Sequence, residues 1–163
     1  MLKILFICTG NTCRSPMAEA LLKYELENID LPFETEVTSA GLSAVAGEKA
    51  SEPAKKMFSQ DEPNLSHHKA KTIDLDLIDD ADLILVMTDD HKRQLLARFP
   101  RAANKTFIFK EYVGEAGSSC NIADPAGYGP NKYRQVLEDI RSSVKKLVSK
   151  LKEGSRNESS PGQ

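Results

Sequence analysis

The sequence predicts an α/β fold, in which a parallel sheet is covered by helices on both faces. Short continuous apolar runs recur along the chain, as is typical of strands buried on both sides. Segments with an apolar residue at every third or fourth position lie between these runs and predict amphipathic helices. Strands that alternate with helices build a parallel sheet through right-handed crossovers. The carboxyl ends of the strands then share one edge, where ligands bind in such folds.

The predicted elements follow in order from the N-terminus. Residues 4–7 form the first apolar run, a polar turn ends it, and Ser15 and Pro16 predict the N-cap and first residue of a helix. Apolar and β-branched runs predict three more strands, over residues 34–38, 83–87 and 106–109, with a turn over 39–41. Periodic apolar residues predict three more helices, around residues 51–59, from 88 to 99 and from 133 to 151.

The chain is expected to form a single domain over residues 1–152. Its length of 163 residues, with 40% hydrophobic and 28% charged residues, is ordinary for a soluble globular domain. Residues 153–163 are polar and carry no apolar anchor, so they are predicted to be a disordered tail.

Composition and charge exclude several classes of protein. The formal net charge of -2 provides no global basic field, so no nucleic-acid partner is expected. No apolar run has the length of a membrane span, and the N-terminus lacks the cleavage site of a secretory signal. Three cysteines are too few for a disulfide scaffold, which predicts a reducing, cytoplasmic location.

The loop after the first strand carries the most informative residues. It begins at Cys8, which ends a buried strand, and five residues separate Cys8 from Arg14 at the mouth of a helix. Gly10 and Asn11 tolerate positive φ, so the loop can curl with its N–H groups pointing inward. Inward N–H groups, a helix N-terminus and the planar Arg14 guanidinium together predict a phosphate site.

A cysteine beneath a bound phosphate predicts nucleophilic catalysis. The positive surroundings favour the thiolate of Cys8, and the Ser15 hydroxyl can donate to it. Such a thiolate displaces a leaving group in line and forms a cysteinyl phosphate. The alternative to an active site is that Cys8 is a buried strand residue with no chemical role and that Arg14 caps a surface turn. The C-x5-R-S spacing between a buried strand and a proline-started helix favours the active site.

The motif CTGNTCRSPMAEA resembles the signature loop of the low-molecular-weight protein tyrosine phosphatase family. The resemblance extends over residues 1–152 and includes the segment 38–41. It implies a three-layer, doubly wound (Rossmann-like) sheet of four parallel strands in the order 2-1-3-4. It also implies that Cys8 is the nucleophile, that Arg14 clamps the phosphate, and that no metal or organic cofactor is used. The other residues expected to bind phosphate or substrate are Thr9, Gly10, Asn11, Thr12, Cys13 and Ser15.

Asp124 is the candidate general acid. It precedes Pro125 in a loop of turn-forming residues before the last helix, and by itself an Asp-Pro pair indicates only a turn. The resemblance implies that Asp124 protonates the leaving group and then acts as the base that activates water. Many family members carry an aromatic residue where Ala126 stands, whereas the aromatic here is Tyr128, so both positions are expected to affect specificity.

Thr12 distinguishes two branches of the family. Tyrosine-directed members usually carry an aliphatic residue there, whereas this chain resembles bacterial protein-arginine phosphatases, which carry Thr. Segments 87–92 and 109–113 resemble the same branch. A monomer that acts on phosphorylated proteins is expected, with phosphoarginine favoured over phosphotyrosine because a hydroxyl suits a guanidinium leaving group. A neutral loop substitution at Thr12 is the alternative.

The remaining cysteines and histidines have less specific patterns. The resemblance implies that Cys13 can form a reversible disulfide with Cys8, although a small buried loop residue would explain Cys13 equally well. Cys120 is interpreted as structural or incidental. His68 matches the histidine that buttresses the phosphate loop in the family slightly better than His67 does. No metal site is expected, because no standard zinc spacing is present.

Two other functions stay open. An arsenate reductase of this fold usually needs an additional resolving cysteine pair, which Cys120 alone does not supply. A non-catalytic phosphate-binding module would keep the loop but lose the nucleophile or the acid. Since Cys8, Arg14 and Asp124 are all present, the sequence favours an enzyme.

Overall fold

The structure, a computed structural model, describes residues 1–58, 62–115 and 120–158. Four parallel strands form a sheet in the order β2-β1-β3-β4, which confirms the fold that the resemblance implied. The strands are β1 (Leu2–Cys8), β2 (Thr35–Gly41), β3 (Leu83–Val86) and β4 (Thr106–Ile108). The helices are α1 (Arg14–Glu27), α2 (Glu52–Lys56), α3 (Leu75–Asp80), α4 (Asp89–Arg98), α5 (Phe109–Tyr112) and α6 (Pro130–Glu158), with a 3₁₀ helix at Pro100–Lys105.

Strand β1 lies between the two halves of the core, because its side chains alternate between the faces of the sheet. Ile4 and Phe6 pack with apolar residues of α1 and α6, and the ring of Phe6 lies 5.1 Å from that of Phe109, edge to face. Leu5 and Ile7 pack on the other side, with residues of β3 and α4. Helices therefore cover both faces of the sheet, and the carboxyl ends of the parallel strands meet at one edge.

Strand β2 is longer than the sequence predicts. A turn is predicted over residues 39–41, whereas the strand continues through Gly41. The cause is the pairing with β1, in which Leu2 lies opposite Thr35 and Cys8 lies opposite Gly41. The extension brings the end of β2 level with the end of β1, beside the loop that follows Cys8.

The helix boundaries also differ from the predicted ones. Helix α1 begins at Arg14, so Cys13 takes the N-cap position that the sequence assigns to Ser15. Helices α3 and α5 contain 6 and 4 residues, too few for a periodic apolar pattern to predict them. Helix α2 ends at Lys56, and residue 59, at the predicted end of this helix, lies outside the described residues.

The C-terminal helix corrects the predicted start of a disordered tail at residue 153. Helix α6 continues to Glu158, because Leu151 and Ser155, one turn apart, are both buried, and this packing outweighs the low helix propensity of Gly154. The rest of the predicted tail, residues 159–163, lies outside the described residues. Although α6 has 29 residues, neither it nor another described helix is apolar over a length that would cross a membrane.

Candidate active site

The loop of residues 9–13 leaves the carboxyl end of β1 and leads directly into α1. Cys8 is the last residue of β1 and exposes 3% of its surface. Two backbone bonds hold the loop against the chain after β2, from Leu42 N–H to the Cys8 carbonyl (2.9 Å) and from Ser43 N–H to the Thr9 carbonyl (3.0 Å). A Cβ on Gly41 would lie 2.5 Å from the Thr9 carbonyl oxygen, so this close approach requires glycine.

Asn11 determines the shape of the loop. Its φ of 55° lies in the left-handed region, which Asn tolerates better than most residues, and its side chain is fully buried. The Asn11 Nδ2 group donates to Ser15 Oγ at 2.8 Å and to Ser39 Oγ at 2.9 Å, and Oδ1 accepts from Lys71 N–H at 2.9 Å. Every hydrogen of the amide is used, so the loop conformation is held from inside the fold.

Ser15 connects this network to the cysteine. Its Oγ lies 2.8 Å from the Sγ of Cys8, and both side chains are buried. Because Ser15 accepts a hydrogen bond from Asn11, its own proton is available for the sulfur when Cys8 is a thiolate. A donor to the charged form of a thiol favours that form, which is the state a nucleophile needs.

Two residues behind Asn11 were not identified from the sequence as part of the site. Ser39 accepts from Asn11 and donates to the carboxylate of Glu19 in α1. The carboxylate can only accept when ionised, so it fixes which way the Ser39 hydroxyl points. Polar residues at buried positions of a strand and a helix were the sequence signal for this pair.

His68 supports the loop from a different direction. Its Nε2 donates to the Asn11 carbonyl at 2.7 Å, whereas the neighbouring His67 is exposed. His68 also lines a cleft of about 490 Å³ between α1 and residues 62–68. Because His68 donates to it, the backbone oxygen of Asn11 has a hydrogen-bond partner, as its side-chain amide does.

Arg14 and Asp124 come together across the loop. The Arg14 side chain is buried, and Nη1 donates to the Ile122 carbonyl at 3.0 Å. Its Nη2 lies 3.8 Å from Oδ2 of Asp124, whose side chain is 57% exposed. The other carboxylate oxygen of Asp124 accepts from Ala126 N–H at 3.0 Å, which fixes its orientation. A phosphate held by Arg14 would thus lie within reach of a carboxyl group.

Comparison with known proteins identifies the family. The model of the low molecular weight phosphotyrosine protein phosphatase family matches residues 3–157. The chain belongs to this family. The protein-arginine-phosphatase of Geobacillus stearothermophilus is 42% identical, over 91% of this chain and 95% of that protein. The low molecular weight protein-tyrosine-phosphatase PtpB of Staphylococcus haemolyticus is 35% identical, over 90% of this chain and 97% of that protein.

A solved structure agrees with this assignment. It is a mutant of YwlE arginine phosphatase with a phosphorylated active-site serine, 36% identical to this chain, with a TM-score of 0.86. The match covers 95% of this chain and 99% of that one. The resemblance read from residues 8–20 is confirmed, and the chain is a protein phosphatase of this family.

The remaining predicted specificity residues of this phosphatase are Thr12 in the loop and Ala126 and Tyr128 in the chain after Asp124. Thr12 is half-buried and its carbonyl accepts from Ser51 N–H at 2.8 Å, while its hydroxyl lies close to Gly10. Ala126 and Tyr128 are both exposed, and the Tyr128 ring is 67% exposed with the Lys132 ammonium 6.0 Å from its centroid. The aromatic side chain therefore lies on the surface, two residues beyond the position next to Pro125.

Cys13 is the last residue of the loop. Its side chain packs in the core and exposes 9% of its surface. Burial, together with the nearby Cys8, raises the pKa of the Cys13 thiol to about 12. A resolving cysteine attacks as a thiolate, so this thiol reacts slowly at neutral pH. The geometry favours a packing role for Cys13, and its reversible disulfide with Cys8 stays a prediction. Within the described chain, no three His, Cys, Asp or Glu side chains are grouped as a metal ion requires.

Two further residues lie next to the site without having been predicted there. Tyr133 on α6 is buried, and burial together with the nearby Cys13 raises the pKa of its hydroxyl. His91 on α4 is also buried, and its Nε2 lies 2.8 Å from Oγ1 of Thr9 in the loop. Neither residue adjoins the motif in sequence. Tyr133 belongs to the periodic apolar residues that predict the last helix, and His91 lies in segment 87–92, which resembles the bacterial branch without indicating a role in the site.

Proposed function

We propose that this phosphatase removes phosphate from phosphoarginine in cytoplasmic proteins, with Cys8 as nucleophile, Arg14 as phosphate clamp and Asp124 as general acid. The observation that carries the substrate assignment is the polar rim of the loop. Thr12 keeps a hydroxyl close to Gly10, and the residue that follows Pro125 is Ala126 in place of an aromatic residue. A phenyl ring favours an apolar rim, whereas a guanidinium favours hydrogen-bonding partners.

The first chemical step follows from the geometry of the loop. The phosphoryl oxygens bind to the loop N–H groups and the Arg14 fork, which leaves phosphorus above the Cys8 sulfur. The thiolate attacks in line, an S–P bond forms and the bond from phosphorus to the leaving nitrogen breaks. Asp124, 3.8 Å from the Arg14 guanidinium, gives its proton to that nitrogen.

The second step hydrolyses the cysteinyl phosphate. Asp124, now a carboxylate, accepts a proton from a water molecule as that water attacks phosphorus. The S–P bond breaks, phosphate leaves, and the Cys8 thiolate that forms is stabilised by Ser15, whose Oγ lies 2.8 Å from the sulfur. The phosphorylated active-site serine of the YwlE mutant supports a covalent intermediate at this position of the fold.

The two alternatives differ in what supports them. Phosphotyrosine is the second candidate substrate, since the Staphylococcus haemolyticus relative is named a protein-tyrosine-phosphatase. Arsenate reduction by a cysteine relay has less support. Cys120 packs against the opposite half of the core from Cys8 and Cys13, and its sulfur donates to the Glu115 carbonyl at 3.3 Å.

The test compares kcat/KM for one peptide sequence carrying either phosphoarginine or phosphotyrosine. We expect the wild type to prefer phosphoarginine, and Thr12→Ile to shift the ratio toward phosphotyrosine by about tenfold or more, since one polar contact is lost and apolar surface is gained. Thr12→Val keeps the shape and removes only the hydroxyl, while Thr12→Ser keeps the hydroxyl and serves as its matched control. A wild type that hydrolyses phosphotyrosine but ignores phosphoarginine would show that the arginine assignment is wrong.

A further inference from the structure

We propose that His91 is a positioning residue that holds the Thr9 hydroxyl for contact with the guanidinium of phosphoarginine. The inference rests on the proposed function, because it concerns the specificity of the same site. It starts from two residues far apart in sequence. Thr9 follows the nucleophile and is exposed at the mouth of the loop, while His91 lies in the first turn of α4 and exposes only 4% of its surface.

The contact between the two side chains is direct. The Nε2 atom of His91 lies 2.8 Å from Oγ1 of Thr9. The backbone of His91 is fixed as well, since its N–H donates to the Thr88 hydroxyl, which caps α4, at 3.1 Å. A buried imidazole on a capped helix turn therefore supports the hydroxyl of Thr9, the exposed residue that directly follows Cys8 in the chain.

The other ring nitrogen indicates which atom donates. Nδ1 of His91 is buried and has no hydrogen-bond partner among the residues that the structure describes. Leaving a buried N–H without an acceptor costs more free energy than leaving a buried lone pair without a donor. The tautomer with its proton on Nε2 and a lone pair on Nδ1 is therefore favoured. Nε2–H then donates to Thr9, and the Thr9 hydroxyl keeps its own proton and one lone pair for a substrate.

The charges around His91 place this pair beside the reacting groups. Burial, and next the positive charge of Arg14, lower the pKa of His91 to about 4, while Asp90 and Asp124 act in the opposite direction. The ring is therefore neutral near pH 7, and it adds no second positive charge that would repel a guanidinium. Since Thr9 directly follows Cys8 in the chain, its contact with His91 places the pair at the loop that holds the reacting phosphorus.

The chemistry of the leaving group explains why such a pair would select it. A guanidinium presents several N–H donors in one plane, and each loses a water molecule when it enters the cleft. The free lone pair of Thr9 can accept one of these N–H groups. A phenyl ring has no donor to offer there, so the same contact gives phosphotyrosine nothing. Without His91 the Thr9 side chain is free to rotate, and the preference for phosphoarginine should fall.

The test measures kcat and KM separately for the two phosphopeptides in His91→Leu, His91→Gln and Thr9→Val. We expect His91→Leu to lower the ratio of kcat/KM for phosphoarginine to that for phosphotyrosine by about tenfold, as loss of one hydrogen bond to a substrate does. His91→Gln, whose amide can donate near the position of Nε2, should restore most of the ratio. The double variant Thr9→Val, His91→Leu should lose no more than the larger single effect, because both residues serve one contact. The exposed His67, changed to Gln, is the matched histidine control.

The outcomes separate the two proposals. A wild type without phosphoarginine activity overturns the proposed function, and the specificity role of His91 with it. A wild type that hydrolyses phosphoarginine, with His91 variants that lose both substrates by the same factor, overturns only this inference. In that case His91 would support the loop without selecting the substrate. A ratio unchanged in His91→Leu, or not restored in His91→Gln, overturns it as well.

Discussion

The two sides of the phosphate loop are built in different ways. The rear, meaning Asn11, Ser15, Ser39 and His68, lies inside the fold, and each hydrogen of the Asn11 amide has a partner. The front, meaning Asp124, Ala126 and Tyr128, is exposed, and Asp124 is held by an Asx turn and a 3.8 Å approach to Arg14. In the proposed mechanism, phosphate binding and thiolate stabilisation depend on the rear, while proton transfer and substrate choice depend on the front. Stability and catalysis should therefore separate between the two sides.

The largest effect is expected at the front, on catalysis alone. Asp124→Asn should lower kcat for a phosphoarginine peptide by about 10²–10⁴, because a general acid contributes a factor of that order. The free energy of unfolding should change by less than about 0.5 kcal/mol, since the side chain is 57% exposed. Steady-state kinetics and urea unfolding measure the two quantities.

The leaving group supplies the control for Asp124. p-Nitrophenyl phosphate has a leaving group that departs as an anion, so it depends less on an acid. We expect Asp124→Asn to impair this substrate at least tenfold less than the peptide. An equal loss for both substrates would mean that Asp124 serves another purpose, such as the orientation of Arg14.

The second effect is expected at the rear, on stability as well as catalysis. Asn11→Ala removes three buried side-chain hydrogen bonds and strains a position with φ of 55°. Groups left unpaired in the core should lower the free energy of unfolding by about 3–5 kcal/mol. In Asn11→Gly the backbone strain is absent and the bonds are still lost, so the difference between the variants, about 1 kcal/mol, measures the strain. If Asn11→Ala and Asp124→Asn destabilise the protein equally, the contrast between rear and front fails.

The same contrast explains which parts of the site the sequence could predict. Cys8, Arg14 and Ser15 lie within one loop, so their roles follow from spacing and from the chemistry of phosphate. The contacts that hold the loop join residues that are far apart in the chain. The separation is 60 positions between Asn11 and Lys71, 82 positions between Thr9 and His91, and 108 positions between Arg14 and Ile122. No local pattern specifies such contacts, because they arise only when the strand ends meet at one edge.

The fold shows the same division. Order β2-β1-β3-β4 was available from the resemblance, and the strand positions from their apolar runs. The extension of β2 to Gly41 could not be predicted from its own residues, because it depends on pairing with β1. The end of α6 at Glu158 was missed because the buried residue in its last turns, Ser155, is polar and gives no apolar signal. Tertiary contacts decide such boundaries.

His91 allows the smallest and most specific test, because it is a buried residue in contact with the exposed Thr9. Its folded pKa of about 4 is lower than the value of about 6.5 expected in the unfolded chain. Between these values the unfolded state binds a proton that the folded state excludes. The stability that a neutral His91 provides is thus complete above about pH 6.5 and is lost as the pH falls toward 4, by at most about 3 kcal/mol.

The measurement is urea unfolding of the wild type and His91→Gln at several pH values from 7 to 4. The wild-type free energy of unfolding minus that of the variant should fall by up to about 3 kcal/mol over this range, since the variant has no proton to bind at this position. His67→Gln is the matched control at an exposed position, and it should give a nearly constant difference. A constant difference for His91→Gln as well would mean that His91 is solvated in the folded protein. The Thr9 hydroxyl would then have no buried support from His91, and the selection of the leaving group would depend on Thr12 and the front alone.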